Sequence, residues 1–218
     1  MHVKIQSAVP IDEKKSVLLM GIRVLLYSAV LAGVLLIALL DAQSADFEDK
    51  FSEQSYTEYA QECSLLLTTL LFYLSARLFP IQSVVAYLIG GFFGMAYIRE
   101  HNNFLNSNMA EGAWQVMAYS LAAISAFLVY RQRRHFWKQL NSFMNTRAFG
   151  IFITGLMIVF IFSRLYSNKL IWMATMGEEN YMHIVARANE EIIELLGYAL
   201  ILLGTIEYFA FLRNSRTE

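Results

Sequence analysis

The stretch ARANEEIIELLGYALILLG places three carboxylates directly before a long apolar run. Glu190, Glu191 and Glu194 recur at helical spacing with His183 and Arg187, so one polar stripe follows one side of a helix. Ionisable groups at the edge of an apolar helix are costly to insert into a membrane and therefore mark a candidate site. Gathered acids must be protonated, pair with a base or bind a cation.

Two further elements carry residues of the same types. Glu58 and Glu62 stand four positions apart in EYAQECSLLL and therefore share a helix face. Arg99, Glu100 and His101 are consecutive at the end of another apolar run. We expect these residues and the stripe described above to lie at one level and to form a single polar site.

Carboxylates combined with imidazoles suit a divalent metal such as zinc, manganese or iron. A helical bundle can collect such ligands from several helices. The candidate ligands are Glu62, His101, His183 and Glu194, although no HExxH or HxxxH motif accompanies them. A divalent metal is therefore one hypothesis for the cofactor, and the sequence assigns no catalytic residue.

Composition and clustering predict a membrane protein. Of 218 residues, 57% are hydrophobic and 16% are charged, whereas soluble domains have about 25% charged residues. Apolar runs of about 18 residues or more match the hydrocarbon thickness and must be helical to satisfy their backbone. Six such runs occur, at about 16–40, 58–79, 82–98, 114–130, 148–166 and 189–212. We interpret the first as a retained span, with a cleaved signal as the alternative.

The fold class predicted from these runs is an all-α, polytopic, six-transmembrane-helix bundle, with residues 1–218 as one domain. From Glu178 to Arg213 there is no proline, and the first glycine is Gly197. A helix of about 36 residues would be roughly 54 Å long, which exceeds the hydrocarbon core of about 30 Å. We therefore expect a long last helix that projects from the bundle.

The distribution of charge predicts the orientation. With a cytoplasmic N-terminus and six alternating spans, twelve of the 17 basic residues lie inside. The five outside are Lys50, Arg99, Arg164, Lys169 and Arg187. The densest basic cluster, RQRRHFWKQ, then faces the cytoplasm, as the positive-inside rule requires. Both termini are predicted to be cytoplasmic, and the short loops favour a bacterial inner membrane.

Two charged residues lie within the predicted first and sixth spans, near their cytoplasmic ends. Arg23 and Glu207 have opposite charges and could pair, or each could snorkel to the interface. We expect a structural ion pair that joins these two spans.

The leading functional hypothesis is a subunit of a membrane complex, or a ligand-binding component, that acts through an outward-facing Glu/His/Arg cluster. Its expected partners are the lipid bilayer and a second membrane protein or another copy of the chain, with no nucleic acid. One alternative is a metal-dependent, hydrolase-like membrane enzyme that acts on a lipid-linked substrate at the outer leaflet. Another alternative is a cation or proton transporter.

Overall fold

The computed structural model describes residues 13–44, 50–52 and 54–215. Throughout these ranges the chain forms helices and the turns between them, without a β-strand. The predicted all-α class is therefore confirmed. The predicted cytoplasmic N-terminal segment before residue 13, and the C-terminal residues 216–218, lie outside the described residues.

Ten α-helices occur in the described chain. They are α1 Glu13–Ala42, α2 Tyr56–Leu78, α3 Ser83–Glu100, α4 Asn102–Asn108, α5 Ala113–Arg131, α6 Phe136–Met144, α7 Arg147–Met157, α8 Ser163–Tyr166, α9 Lys169–Met176 and α10 His183–Asn214. Short 3-10 turns precede α3, α6 and α10, at Pro80–Gln82, Arg133–His135 and Glu178–Asn180. A π-helical turn, Ile158–Phe162, joins α7 to α8.

Within the described ranges, five helical stretches are long and apolar enough to cross a membrane. They are Val17–Ala42, Pro80–Glu100, Ala113–Arg131, Arg147–Tyr166 and His183–Asn214. The helix α2, predicted as the second span, is not among them. It carries Glu58, Glu62 and Arg77 together with several hydroxyl and amide side chains, which lower its hydropathy.

The last helix is shorter than the sequence predicts. It begins at His183 rather than at Glu178 and contains 32 residues, which corresponds to about 48 Å. Tyr181 and Met182 have extended backbone angles, with ψ of 123° and 117°, and so separate the preceding 3-10 turn from α10. The extended backbone of these two residues, and not a proline, sets the N-terminal end of α10.

The helices α2 and α10 run parallel and side by side. At one end, Gln61 Nε2 donates to the backbone oxygen of Glu191, at 3.1 Å. At the other end, the rings of Phe79 and Phe209 meet edge to face with centroids 5.8 Å apart. The two contacts lie near the start of α2 and just after its end. The helix therefore packs against α10 along nearly its whole length.

The helix α7 packs closely against α10 because glycines lie at their contact. A Cβ atom on Gly204 would be 2.7 Å from the Phe152 backbone nitrogen, and one on Gly155 would be 2.7 Å from the Gly197 carbonyl oxygen. Small residues that let two backbones approach in this way are common at helix contacts in membranes. This contact fixes the position of α8, and of the charged side chain that α8 carries, relative to α10.

The remaining long helices surround this centre. The helix α3 lies between α2 and α5, since a Cβ on Gly94 would be 2.6 Å from Leu121 and 3.2 Å from Thr69. The helix α1 packs on α10 and more lightly on α2. A core of aromatic rings fills the space between α2, α3, α6, α7 and α10, through Phe72, Phe93, Phe143, Phe152 and Tyr208.

Candidate functional site

A cavity of about 250 Å³ lies where α2, α3, the π-helical turn with α8, and α10 meet. We call it the acidic cleft. Five carboxylates and two guanidinium groups line it, namely those of Glu58, Glu100, Glu190, Glu191, Glu194, Arg99 and Arg164. Gln61 and Tyr198 are its principal uncharged polar residues. Seven ionisable groups from separate parts of the chain therefore share one small volume.

The start of α2 is fixed by side chains that accept its free N–H groups. Asp41, at the end of α1, is only 2% exposed and accepts hydrogen bonds from the backbone nitrogens of Tyr56 and Thr57, both at 2.8 Å. Ser55 accepts from the backbone nitrogen of Glu58. Such caps stabilise a helix N-terminus. They hold the first turn of α2, and with it Glu58, at the mouth of the cleft.

Gln61 connects the α2 wall to α10. Its Nε2 donates to Glu191 twice, to the backbone oxygen at 3.1 Å and to Oε2 at 3.0 Å. The Gln61 residue is buried. The amide therefore fixes both the depth of α2 against α10 and the direction of one carboxylate of the cleft.

The wall formed by α8 carries the main cation of the cleft. Arg164 pairs with Glu190 through Nη1 and with Glu194 through Nη2, the latter at 3.2 Å. Ser163 donates to the carbonyl oxygen of Val159 and also lies 3.3 Å from Glu194 Oε1. The π-helical turn Ile158–Phe162 ends directly before Ser163, and such turns are frequent at functional sites. Ser163 and Arg164 follow it and contact α10.

The α3 wall holds a pair formed by neighbours in the chain. Arg99 Nη2 lies 2.8 Å from Glu100 Oε1. Arg99 forms no ion pair with a carboxylate of α10 in the described part of the chain. The ion-pair partner of Arg99 is therefore Glu100, the next residue in the chain.

The ion pairs do not match all five carboxylates. The two arginines pair with Glu100, Glu190 and Glu194, whereas Glu191 is bound by the neutral Gln61. Among the described residues, the Glu58 carboxylate has neither a hydrogen bond nor an ion pair. The cleft thus contains more carboxylates than arginines, and two of its acids face it without a cationic partner.

The structure separates four of the predicted site residues from this cleft. Glu62 lies 3.6 Å from His101 on the neighbouring helix end, and His101 also packs on the ring of Tyr97. His183 and Arg187 line an adjacent cavity of about 420 Å³. Glu190 and Glu191 line both cavities, so the wall between the two spaces is made of carboxylates.

The four candidate metal ligands do not come together. Glu62 and His101 form one pair, Glu194 contacts Arg164, and His183 lies in the adjacent cavity. Within the ranges the structure describes, no group of three or more His, Cys, Asp or Glu side chains could hold a metal ion. The guanidinium of Arg164 lies between the carboxylates of Glu190 and Glu194.

Arg23 and Glu207 lie at the end of the bundle opposite the acidic cleft. Arg23 Nε is 3.2 Å from Glu207 Oε1, and the same oxygen accepts a hydrogen bond from the Tyr27 hydroxyl at 2.7 Å. Both residues line a cavity of about 410 Å³ together with Arg147. The pair connects α1 to α10.

Some residues of the cleft are absent from the predicted site. Gln61 is uncharged and lies in a run that gives no sign of its partner. Ser163, beside the cleft, lies in an apolar run that gives no sign of its contact with Glu194. Arg164 is among the bases that the sequence places at the level of the acidic residues, but the predicted site does not include it.

Fold and site together define an all-helical protein with five helices apolar enough to span a membrane and a charged cleft at one end of the described bundle. No family model, curated protein or solved structure matches the chain.

Proposed function

We propose that the chain is a six-span integral membrane protein that binds a cationic group in the acidic cleft. The ligand is an ammonium or guanidinium group, carried by a small amine or by a basic side chain of a partner protein in a membrane complex. The surplus of carboxylates over arginines in the cleft is the observation that carries this proposal.

The packing of α2 supports counting it as a span in addition to the five apolar stretches. It lies parallel to α10 along nearly its whole length, between the Gln61–Glu191 and Phe79–Phe209 contacts. A helix of 23 residues corresponds to about 35 Å, which is enough to cross the hydrocarbon core. Its polar residues are shielded from lipid, since Thr57, Gln61 and Thr68 are buried.

The surface of the bundle supports its placement in lipid. Leucines on the outside of α1 and α2 are exposed over 40–71% of their surface, including Leu25 at 71%, Leu35 at 67% and Leu70 at 54%. Apolar surface as continuous as this exceeds what soluble monomers expose. Hydrocarbon would cover it without cost.

The orientation follows from the two ends of the bundle. Arg131, Lys138 and Arg147 lie at the end where α5 stops and α7 starts, opposite the acidic cleft. The positive-inside rule places that end in the cytoplasm. The acidic cleft then faces outward, and both termini are cytoplasmic. A bacterial inner membrane accords with the short connections between the spans.

A bound cation would complete the charge balance of the cleft. Glu58 and Glu191 provide acceptors that the arginines leave free, and surrounding helices lower the dielectric constant so that opposite charges attract more strongly than in water. A volume of about 250 Å³ is below the range of drug-sized sites, about 300–1,000 Å³. It suits one small cationic group.

Burial below the cleft favours binding over transport. The space between α2 and α10 at this depth is filled by Leu65, Phe72 and Ile201, each at most 1% exposed. In the part of the chain that is described, this arrangement offers a cation no continuous polar path onward from the cleft. The metal-dependent alternative requires a ligand set that the described side chains do not bring together.

The test uses agmatine, which carries both a guanidinium and an ammonium group, added to the purified protein in detergent. At about 100 times its dissociation constant, a ligand stabilises the folded state by about 2.7 kcal/mol. We expect agmatine to raise the unfolding temperature of the native chain at constant ionic strength. The Glu58→Gln, Glu191→Gln double variant should lose this increase because both free acceptors are gone.

A matched control removes two acids outside the cleft. Glu111 and Glu178 are exposed and line neither the cleft nor the adjacent cavity, so Glu111→Gln, Glu178→Gln should respond to agmatine like the native chain. Equal responses of the two double variants would refute the proposed site. A response to Zn²⁺ but not to agmatine would instead favour the metal-dependent enzyme.

A further inference from the structure

A second polar site lies at the opposite end of the bundle, beside the turn between α2 and α3. A cavity of about 470 Å³ is lined on one side by Arg131, His135 and Lys138. Next to it, a cavity of about 400 Å³ is lined mainly by apolar side chains, among them Phe79 and Leu212. The two cavities share the Pro80–Gln82 turn and Ser142, so a single molecule could occupy both.

The polar cavity is held open by hydrogen bonds between its walls. The Gln139 side-chain oxygen accepts from the backbone nitrogen of Val84 at 2.8 Å, and the Gln132 side-chain oxygen accepts from Ser83. Gln82 Nε2 donates to Ser142 at 2.9 Å. These bonds tie α3 to α6 and to the end of α5, so the cavity requires no rearrangement to form.

The donors of Arg131, Lys138 and Gln139 that face this cavity are not matched by acceptors of the protein, whereas the Gln82 side-chain oxygen beside them is a buried acceptor without a donor. Gln139 is only 4% exposed, and with its oxygen bound to Val84 its Nε2 has no partner in the described chain. Neither Arg131 nor Lys138 forms an ion pair there, although Arg131 lies over the ring of Phe127 at 5.8 Å. Among the described residues that line the two cavities, none is acidic. The chemistry complementary to these groups is that of an anion.

We infer that the paired cavities hold one anionic glycerophospholipid of the surrounding leaflet. Its phosphate accepts from Arg131, Lys138 and Gln139, and one acyl chain follows the apolar cavity along Phe79 and Leu212. Basic pockets between helices on the cytoplasmic side are suited to anionic headgroups. Trp137, 77% exposed on α6, fits the interfacial depth that this arrangement requires. The inference rests on the proposed membrane placement and not on cation binding in the acidic cleft.

The experiment counts lipids bound to the detergent-purified protein by native mass spectrometry. The probes are dioleoyl phosphatidylglycerol, dioleoyl phosphatidylcholine and glycerol 3-phosphate. We expect the native chain to bind the first in preference to the other two, because only it has both an anionic phosphate headgroup and acyl chains. The Arg131→Gln, Lys138→Gln variant should bind it about 30-fold more weakly, from the usual contribution of two basic residues at a lipid surface.

A matched control removes two other cations near the same end of the bundle. Arg77 and Arg213 are exposed and line neither cavity, so Arg77→Gln, Arg213→Gln should keep native affinity for phosphatidylglycerol. Equal affinities of the two double variants would overturn the inference, as would equal binding of the two phospholipids by the native chain. Binding of glycerol 3-phosphate as tight as that of the lipid would show a free-phosphate site and would also overturn it.

The test separates this inference from the proposed function. Both double variants retain the acidic cleft and should still be stabilised by agmatine. Loss of lipid preference with an intact agmatine response refutes the lipid site alone. The native chain's recovery in the soluble fraction of cells would refute the membrane placement and with it both proposals.

Discussion

Replacing Gly204 with leucine is expected to separate α7 from α10 and to lower the unfolding temperature by about 2–12 °C. A Cβ at this position would lie 2.7 Å from the backbone nitrogen of Phe152 and 2.9 Å from its Cα. Backbone atoms cannot rotate away as a flexible side chain can. Overpacking typically costs about 1–3 kcal/mol and sometimes more, and 1 kcal/mol shifts the midpoint of a chain this long by about 2–4 °C.

The same substitution at Gly150 provides the control. Gly150 also lies in α7, but no neighbouring atom is within 4 Å of a Cβ built there. Thermal unfolding of Gly204→Leu, Gly150→Leu and the native chain, each purified in the same detergent, measures the difference. Equal midpoints for the two variants would contradict the close α7–α10 contact.

The Gly204 variant should also lose its response to agmatine. Arg164 follows α7 in the chain, and its ion pairs with Glu190 and Glu194 depend on the distance between α7 and α10. If the helices separate, these carboxylates lose their cation and the cleft loses its shape. The stability of the fold and the geometry of the site thus depend on the same contact.

The second large effect is expected from Arg164→Ala. This change leaves Glu190 and Glu194 without an ion pair, and Glu194 is only 9% exposed. Removing one partner of a buried pair costs about 3–5 kcal/mol, but the Arg164 side chain is 63% exposed, so solvent screens much of the effect. We expect a loss of about 1–3 kcal/mol, measured by reversible unfolding in mixed detergent.

A double-mutant cycle distinguishes this ion pair from a general effect of losing positive charge. In a Glu190→Gln, Glu194→Gln background, Arg164→Ala should cost much less than in the native chain, because the carboxylates it would leave unpaired are gone. Arg187→Ala serves as the control, since Arg187 forms no ion pair within the described ranges. Strict additivity in the Arg164 cycle would show that the contact contributes nothing to stability.

Several features of this fold can be predicted from the sequence because they depend on local patterns. Apolar runs give the long helices to within a few residues, and Pro80 marks the turn between α2 and α3. Placing Glu58, Glu100 and Glu190 at one outer level requires only the direction in which each predicted span crosses the membrane. These residues do line one cavity.

The faces of α2 could not be predicted in the same way. Glu58 and Glu62 are four residues apart and were expected on one face, yet Gln61 is the residue that reaches α10 and Glu62 turns to His101. Positions three and four residues away both neighbour Glu58 on a helix. The choice between them depends on where α10 packs, which no local spacing encodes.

The buried face of α2 is also more polar than its exposed face. Thr57, Gln61 and Thr68 are buried, whereas Leu67 and Leu70 are more than 40% exposed. In a soluble protein the apolar stripe of a helix faces the core. A helix that exposes its other face to lipid, as proposed for α2, would reverse this rule, so the usual periodicity argument selects the wrong residues for burial.

The parallel contact of α2 with α10 is the centre of this account, and chemical cross-linking tests it most directly. The exposed Cys63 is first replaced by serine, and cysteines are then placed at Gln61 and Glu191. In isolated membranes, a short bifunctional thiol reagent should link this pair, as detected by mass spectrometry of the joined peptides. As the control, the second cysteine is placed at Ile193 instead of Glu191. Because Ile193 lies about 200° farther around α10, it should give little cross-linked product with the cysteine at position 61. Efficient linkage through Ile193 and none through Glu191 would contradict the shared cleft.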